Sequence, residues 1–106
     1  MTSISRASAE RKLRKFIDTL RQELPKLRTK FHVQYLGLFG SYVQGTPRRD
    51  SDLDVLVEFA EEPGLFGFIE LEDHLSSLLG VKVDLVMKDT LKPRIGQRIL
   101  NEIVGL

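Results

Sequence analysis

Two aspartates one residue apart, Asp52 and Asp54, open the otherwise apolar run "DLDVLVEF", and a third, Asp84, interrupts "VKVDLVMK". On an extended chain residues two apart project from one face, so Asp52 and Asp54 point together. Asp84 can reach the same patch from a neighbouring strand. Carboxylates gathered in this way repel one another and are costly to bury, and a divalent metal is the common compensation. Hard oxygen donors suit Mg²⁺, which takes one or two carboxylates and completes its shell with phosphate oxygens and water. Two such ions ~3.5–4 Å apart would activate an attacking oxygen and stabilise a leaving one. The plainer alternatives are a turn cap at Asp52 and a solvent-facing edge position at Asp54. Asp84 resists that account, since no lysine or arginine is an obvious local partner for it.

A second feature sits at the end of the preceding apolar run, "VQYLGLFG", where Gly40 is followed by Ser41. A glycine at a strand end, followed by a small hydroxyl residue, lets backbone N–H groups approach a phosphate closely. Those groups would bind a triphosphate while the carboxylates hold its metal. Alone, a Gly-Ser turn carries little information. Its place at a strand end facing the start of the aspartate strand gives it value.

The elements that must position these groups follow from hydrophobic spacing. Between residues 7 and 28, Leu13, Phe16, Ile17, Leu20, Leu24 and Leu27 recur mostly every three or four positions, the mark of an amphipathic helix. Pro25 inside that pattern predicts a kink or an end near Leu24. "VQYLGLFG" reads as a buried strand, and "SYVQGTPRRDS" as a turn region with room for one helical turn after Ser41. In "DLDVLVEF" alternation places Leu53, Val55, Val57 and Phe59 on one face and Asp52, Asp54, Leu56 and Glu58 on the other. A helix over Leu65–Leu79 with Phe68, Leu71, Leu75, Leu78 and Leu79 inward follows, closed by Gly80. "VKVDLVMK" is a third strand. Pro93 opens a last helix with Ile95, Ile99 and Ile103 four apart.

The order α-β-(turn)-β-α-β-α predicts an α/β (α+β) domain, a small mixed sheet flanked by helices. Strands two and three are joined through a helix and should be parallel; strands one and two are joined by a turn and should be antiparallel. At 106 residues the chain is expected to form a single domain over 1–106. It has no cysteine, hence no disulfide and no thiolate metal site. No apolar stretch approaches the ~20 residues that span a bilayer, and the N-terminus lacks a signal-like apolar core, so a cytoplasmic protein without membrane contact is expected.

The net charge of +1 hides an uneven distribution. Residues 1–30 carry nine Lys or Arg against three acids, and residues 50–89 carry eleven acids against two lysines. A basic helix beside an acidic centre allows a weak contact with DNA through the former and metal ions at the latter. A solvated amphipathic helix is the plainer reading of the basic segment. Arg11, Lys12, Arg14 and Lys15 spread around it rather than forming one stripe.

Gly40-Ser41, ten residues, then Asp52-x-Asp54 matches the G-S-x10-D-x-D signature of the DNA polymerase β-type nucleotidyltransferases. By composition alone such a match arises on the order of once per thousand chains. "YLGLFGSYVQG", "DSDLDVLVEF", "GLFGFIELEDHLSSLLGVKVDLV" and "LKPRIGQRIL" also resemble the minimal nucleotidyltransferase (MNT) domain over residues 31–104. The resemblance implies a polymerase β-like fold, with Asp52, Asp54 and Asp84 catalytic and binding two Mg²⁺. It further implies that Gly40 and Ser41 hold the phosphate of ATP. Family members often carry arginine where Gln44 stands; Arg48 or Arg49 could substitute from the same loop, and Arg48 is placed with the nucleotide-binding residues.

The chain resembles MNT antitoxins that act on a HEPN-domain ribonuclease toxin, and the implied activity is transfer of AMP from ATP to a toxin tyrosine. A chain this short leaves no room for the acceptor-binding domain of larger relatives, which favours a protein acceptor. The alternative is a non-catalytic antitoxin that silences its partner by contact. His32 and His74 lack metal-ligand spacing and read as structural or solvated. Phe66 and Phe68 read as core or interface, Tyr42 as packing or near the nucleotide, and Val104 and Leu106 as a small apolar tail that could seek a partner but is expected to fray.

Overall fold

The computed structural model describes residues 5–106. Helix α1 spans Arg6–Phe31, followed by strand β1 (Val33–Phe39), a single turn α2 (Ser41–Gln44) and strand β2 (Leu53–Phe59). Helix α3 (Leu65–Leu79), strand β3 (Val83–Met87), a 3₁₀ turn at Lys88–Thr90, helix α4 (Pro93–Glu102) and a short strand β4 (Val104–Gly105) complete the chain. The four strands lie in the order β3-β2-β1-β4. β1 is antiparallel to β2 and β2 parallel to β3, as the connection lengths predict. Among the described residues no helix is long and apolar enough to cross a membrane.

The sheet separates two apolar layers. On one face Phe16, Leu20, Leu27 and Phe31 of α1 and Leu71 and Leu75 of α3 cover Leu36, Leu38, Leu53, Val55, Val57, Val83 and Leu85. On the other a smaller group, Phe39, Leu56 and Ile99, is flanked by Tyr35, Val86, Leu91 and Ile103 under α4. The alternation in β2 therefore holds: the face bearing Asp54 and Glu58 also buries Leu56, because α4 lies over its middle. Gly37 lies beneath that layer, where a Cβ would collide with Ile103 and approach the Tyr35 hydroxyl to 2.9 Å.

Two expectations fail. Of the kink or end expected near Leu24, the end is absent: α1 runs through Pro25 to Phe31. Pro25 lies on the exposed side, and the next turn carries Leu27 and Phe31, both buried. Burial of two large side chains, ~1.5–3 kcal/mol each, offsets the missing N–H bond. Nor does the C-terminal tail fray. Val104 and Gly105 pair with Leu38 and Gly37 as an edge strand, and the Leu106 N–H donates to the Leu36 carbonyl at 3.0 Å.

The opposite edge is closed by side chains. The outward N–H groups of β3 donate to α3: Val83 to Ser76 Oγ at 3.0 Å and Leu85 to Glu72 Oε2 at 2.9 Å. An edge with its donors occupied is a poor template for another strand. His32 ends α1 in the left-handed region (φ 58°), and His74 lies against the Phe31 ring at 5.5 Å. Both histidines are structural or solvated in type, as their isolation in sequence suggests.

Candidate active site

The carboxylates stand at the head of the sheet, where β2 and β3 begin and β1 ends. Parallel pairing places Asp54 directly beside Asp84, and antiparallel pairing places Phe39 beside Asp54. Residues paired across strands share a face, so Asp54 and Asp84 project on the α4 side. The α4 cover reaches Leu56 and stops short of Asp54, which is half-buried, while Asp84 is exposed. This is how a strand with a buried middle carries acids at its start.

The charges there feel one another. Desolvation, then Asp84, Asp52 and Glu102, push the Asp54 carboxyl up to about 6. Asp52 leads into β2 and is partly drawn outward, its Oδ2 4.0 Å from Lys82 Nζ in an exposed pair. Lys82 is thus a local cation that the sequence reading passed over.

Gly40 closes the site from the β1 side. Its φ of 82° is one that L side chains rarely adopt. A Cβ there would collide with Asp54 Oδ2 and lie 2.9 Å from Cγ. Only glycine brings the backbone this close to the carboxylate. Ser41 then starts α2, whose turn is held by Gln44 N–H to the Gly40 carbonyl and Thr46 N–H to the Ser41 carbonyl, each 3.0 Å. The helical turn expected after Ser41 is present. Arg48 lies exposed in a tight turn over residues 48–51, its backbone N–H donating to Ser51 Oγ at 2.8 Å.

One acid was missed. Glu102, in the last turn of α4, is close enough to raise Asp54, and its Oε2 accepts from Gln44 Nε2 at 2.8 Å. Spacing held the clue: Glu102 falls three residues after Ile99, which is buried on the face of α4 that turns to the sheet. Gln44 is therefore engaged across the site.

Hard oxygen donors beside a backbone turn of this kind suit Mg²⁺ with phosphate. Among the described residues no three Asp, Glu, His or Cys side chains group closely enough to hold an ion alone.

The mixed sheet, the glycine turn and the paired aspartates define a nucleotidyl-transferring fold. The chain belongs to the nucleotidyltransferase domain family, whose pattern matches residues 13–106, and it is an enzyme of that class. It is 53% identical over 79 residues to protein adenylyltransferase MntA of Thermococcus cleftensis, covering 74% of this chain and 80% of that one. Among solved structures it resembles a minimal nucleotidyltransferase (TM-score 0.73, 35% identity, 87% of this chain and 94% of that one). It also resembles a toxin–antitoxin structure with AMP-PNP (TM-score 0.65, 31% identity, 79% and 69%). A complex of a tri-AMPylated Shewanella oneidensis HEPN toxin with its MNT antitoxin is similar too (TM-score 0.57, 26% identity, 92% and 70%).

Proposed function

We propose that this protein is a cytoplasmic antitoxin that transfers AMP from ATP to a hydroxyl of a HEPN ribonuclease toxin, in one or more successive rounds. The acceptor is a tyrosine in the first round. The observation that carries the reading is the approach of the Gly40 backbone to Asp54, with Asp84 in register beside it. The adenylyltransferase relative and the toxin–antitoxin neighbours support the choice of acceptor.

Asp52 and Asp54 would hold both Mg²⁺ ions or the nucleotide-associated one, and Asp84 the ion beside the acceptor. When bound, Mg²⁺ supplies positive charge to the triphosphate and favours ionisation of the acceptor hydroxyl. The turn at Gly40 and Ser41 orients the phosphates, with Arg48 close in sequence as a further phosphate contact. Asp84 accepts the proton of the hydroxyl. Charge neutralisation and positioning make up most of what a protein contributes to such a transfer.

A second reading, silencing by contact without catalysis, draws on Gln44: a neutral amide occupies the place of a common cation and is bound to Glu102. One experiment separates the two. The protein is incubated with ATP labelled at the α-phosphate, Mg²⁺ and the HEPN-type protein encoded beside it, alongside Asp52→Asn/Asp54→Asn. Label on the partner that the double variant abolishes is the expected result. A partner bound and silenced without label makes this a contact antitoxin. The weak DNA contact suggested by the basic helix gains no support from the relatives described above.

A further inference from the structure

On the side of the sheet away from α4, where the first half of α1 passes over the head of the sheet, lies a cavity of about 300 Å³. That is at the lower end of the volumes small ligands occupy, ~300–1,000 Å³. Lys12, Lys15 and Arg49 line it, with no acid among its walls. Among the described residues none of these three cations is in a salt bridge. Of the four basic residues of α1 that spread around the helix, Lys12 and Lys15 line the cavity, while Arg11 and Arg14 line an adjoining open surface that Lys15 also borders. Phe16 and Tyr42, packed edge to face with ring centroids 5.4 Å apart, give it an aromatic wall.

The same chain segments build this cavity and the carboxylate site. Tyr42 directly follows Ser41, Arg49 precedes Asp52 by three residues, and Val81, another wall, precedes Asp84 by three. A positive basin and a negative site therefore stand back to back across one rim. Both rings are buried, so what the cavity offers to single-stranded nucleic acid is its cations, which hold phosphates.

Resting on the reading of repeated AMP transfer given above, we propose that this cavity holds the phosphates of AMP units already attached to the acceptor. A growing adenylate tail is thereby retained while its last ribose faces the carboxylates. In each further round a ribose hydroxyl oxygen bonds to the α-phosphorus of the next ATP. The bond from that phosphorus to the β-phosphate bridging oxygen breaks, pyrophosphate leaves with the electron pair, and the hydroxyl proton passes by way of Asp84 to solvent. Every unit adds one phosphodiester negative charge, so retention by cations strengthens as the tail lengthens.

The test counts AMP units on the HEPN-type partner by intact mass, with wild type, Lys12→Glu/Lys15→Glu and the milder Lys12→Gln/Lys15→Gln. The first unit should be added within about twofold of the wild-type rate by both variants. Second and later units should fall at least tenfold in the Glu variant and less in the Gln variant. A fluorescent adenylate trinucleotide should bind wild type at least tenfold tighter than the Glu variant, with a salt dependence that the variant loses. An unchanged ladder of units overturns the proposal, as does a first unit that falls as far as the later ones, or a wild type that stops at one. A wild type that labels nothing instead removes the transfer reading itself.

Discussion

Asp54 and Asp84 are direct neighbours in the parallel register of β2 and β3, and Asp54 meets the Gly40 backbone on its other side. Two acids and a strand-end turn are thereby fixed by backbone pairing, the least deformable part of the fold.

The first consequence is a pH dependence of stability without metal. Asp54 titrates near 6 in the folded chain against 3.8 ordinarily, so between those values the native state holds a proton that the unfolded state has released. Stability then falls as pH rises from about 4 through 6. For a half-exposed group the loss is on the order of 1 kcal/mol once solvent screening is allowed for. Asp54→Asn should flatten this part of a urea-melt series in EDTA and be the more stable protein at pH 7. Added Mg²⁺ should stabilise wild type more than the variant. A wild type that gains stability across that window without metal would contradict the assignment.

Gly40→Ala tests the close approach. The new methyl group meets the Asp54 carboxylate in a strained backbone conformation, and the change should cost at least ~1–3 kcal/mol. AMP transfer should fall beyond what that destabilisation explains. A variant as stable and as active as wild type would show that the turn is not held where it is described.

Gln44 and Glu102 offer a reading of the site's charge. Gln44→Arg replaces an amide–carboxylate bond by an ion pair, and Glu102→Gln removes a negative charge. Both should move the Asp54 carboxyl down from about 6, as followed by carbon NMR of its side chain. If neither shifts it, Glu102 does not face the site in solution.

Pro25 bears on the scaffold alone. Pro25→Ala restores the N–H that can donate to the Arg21 carbonyl and should stabilise by ~1–3 kcal/mol in urea unfolding, with transfer unaffected. Leu27→Ala, two residues on, should cost ~2–5 kcal/mol.

How much of this was legible in the sequence depends on the range of the forces involved. Alternation in β2 and the glycines bounding α3 act over a few residues, so the strand faces and Leu65–Leu79 could be read directly. The Asp54–Asp84 neighbourhood required only that a helix joins two parallel strands. A helix end at Pro25 does not occur because local propensity loses to burial of Leu27 and Phe31 against distant strands. β4 carries two residues and takes its order from β1 far upstream, which periodicity cannot register. Glu102 was legible as a helix-face position but not as a neighbour of Asp54, since that depends on where α4 docks. Lys82 lay in plain view two residues before Asp84, yet it pairs with Asp52.

The two apolar layers differ in size, and that difference has a kinetic reading. α4 is anchored by Phe39, Leu56 and Ile99, whereas α1 and α3 share the larger core. Segments with few buried partners open at lower free energy than the whole chain unfolds. Backbone amides of α4 should exchange with deuterium well before those of β2, and each opening carries Glu102 away while Asp54 keeps its place in the sheet. The acidity of the carboxylate cluster would then fluctuate with a helix that the sheet does not need in order to stay folded.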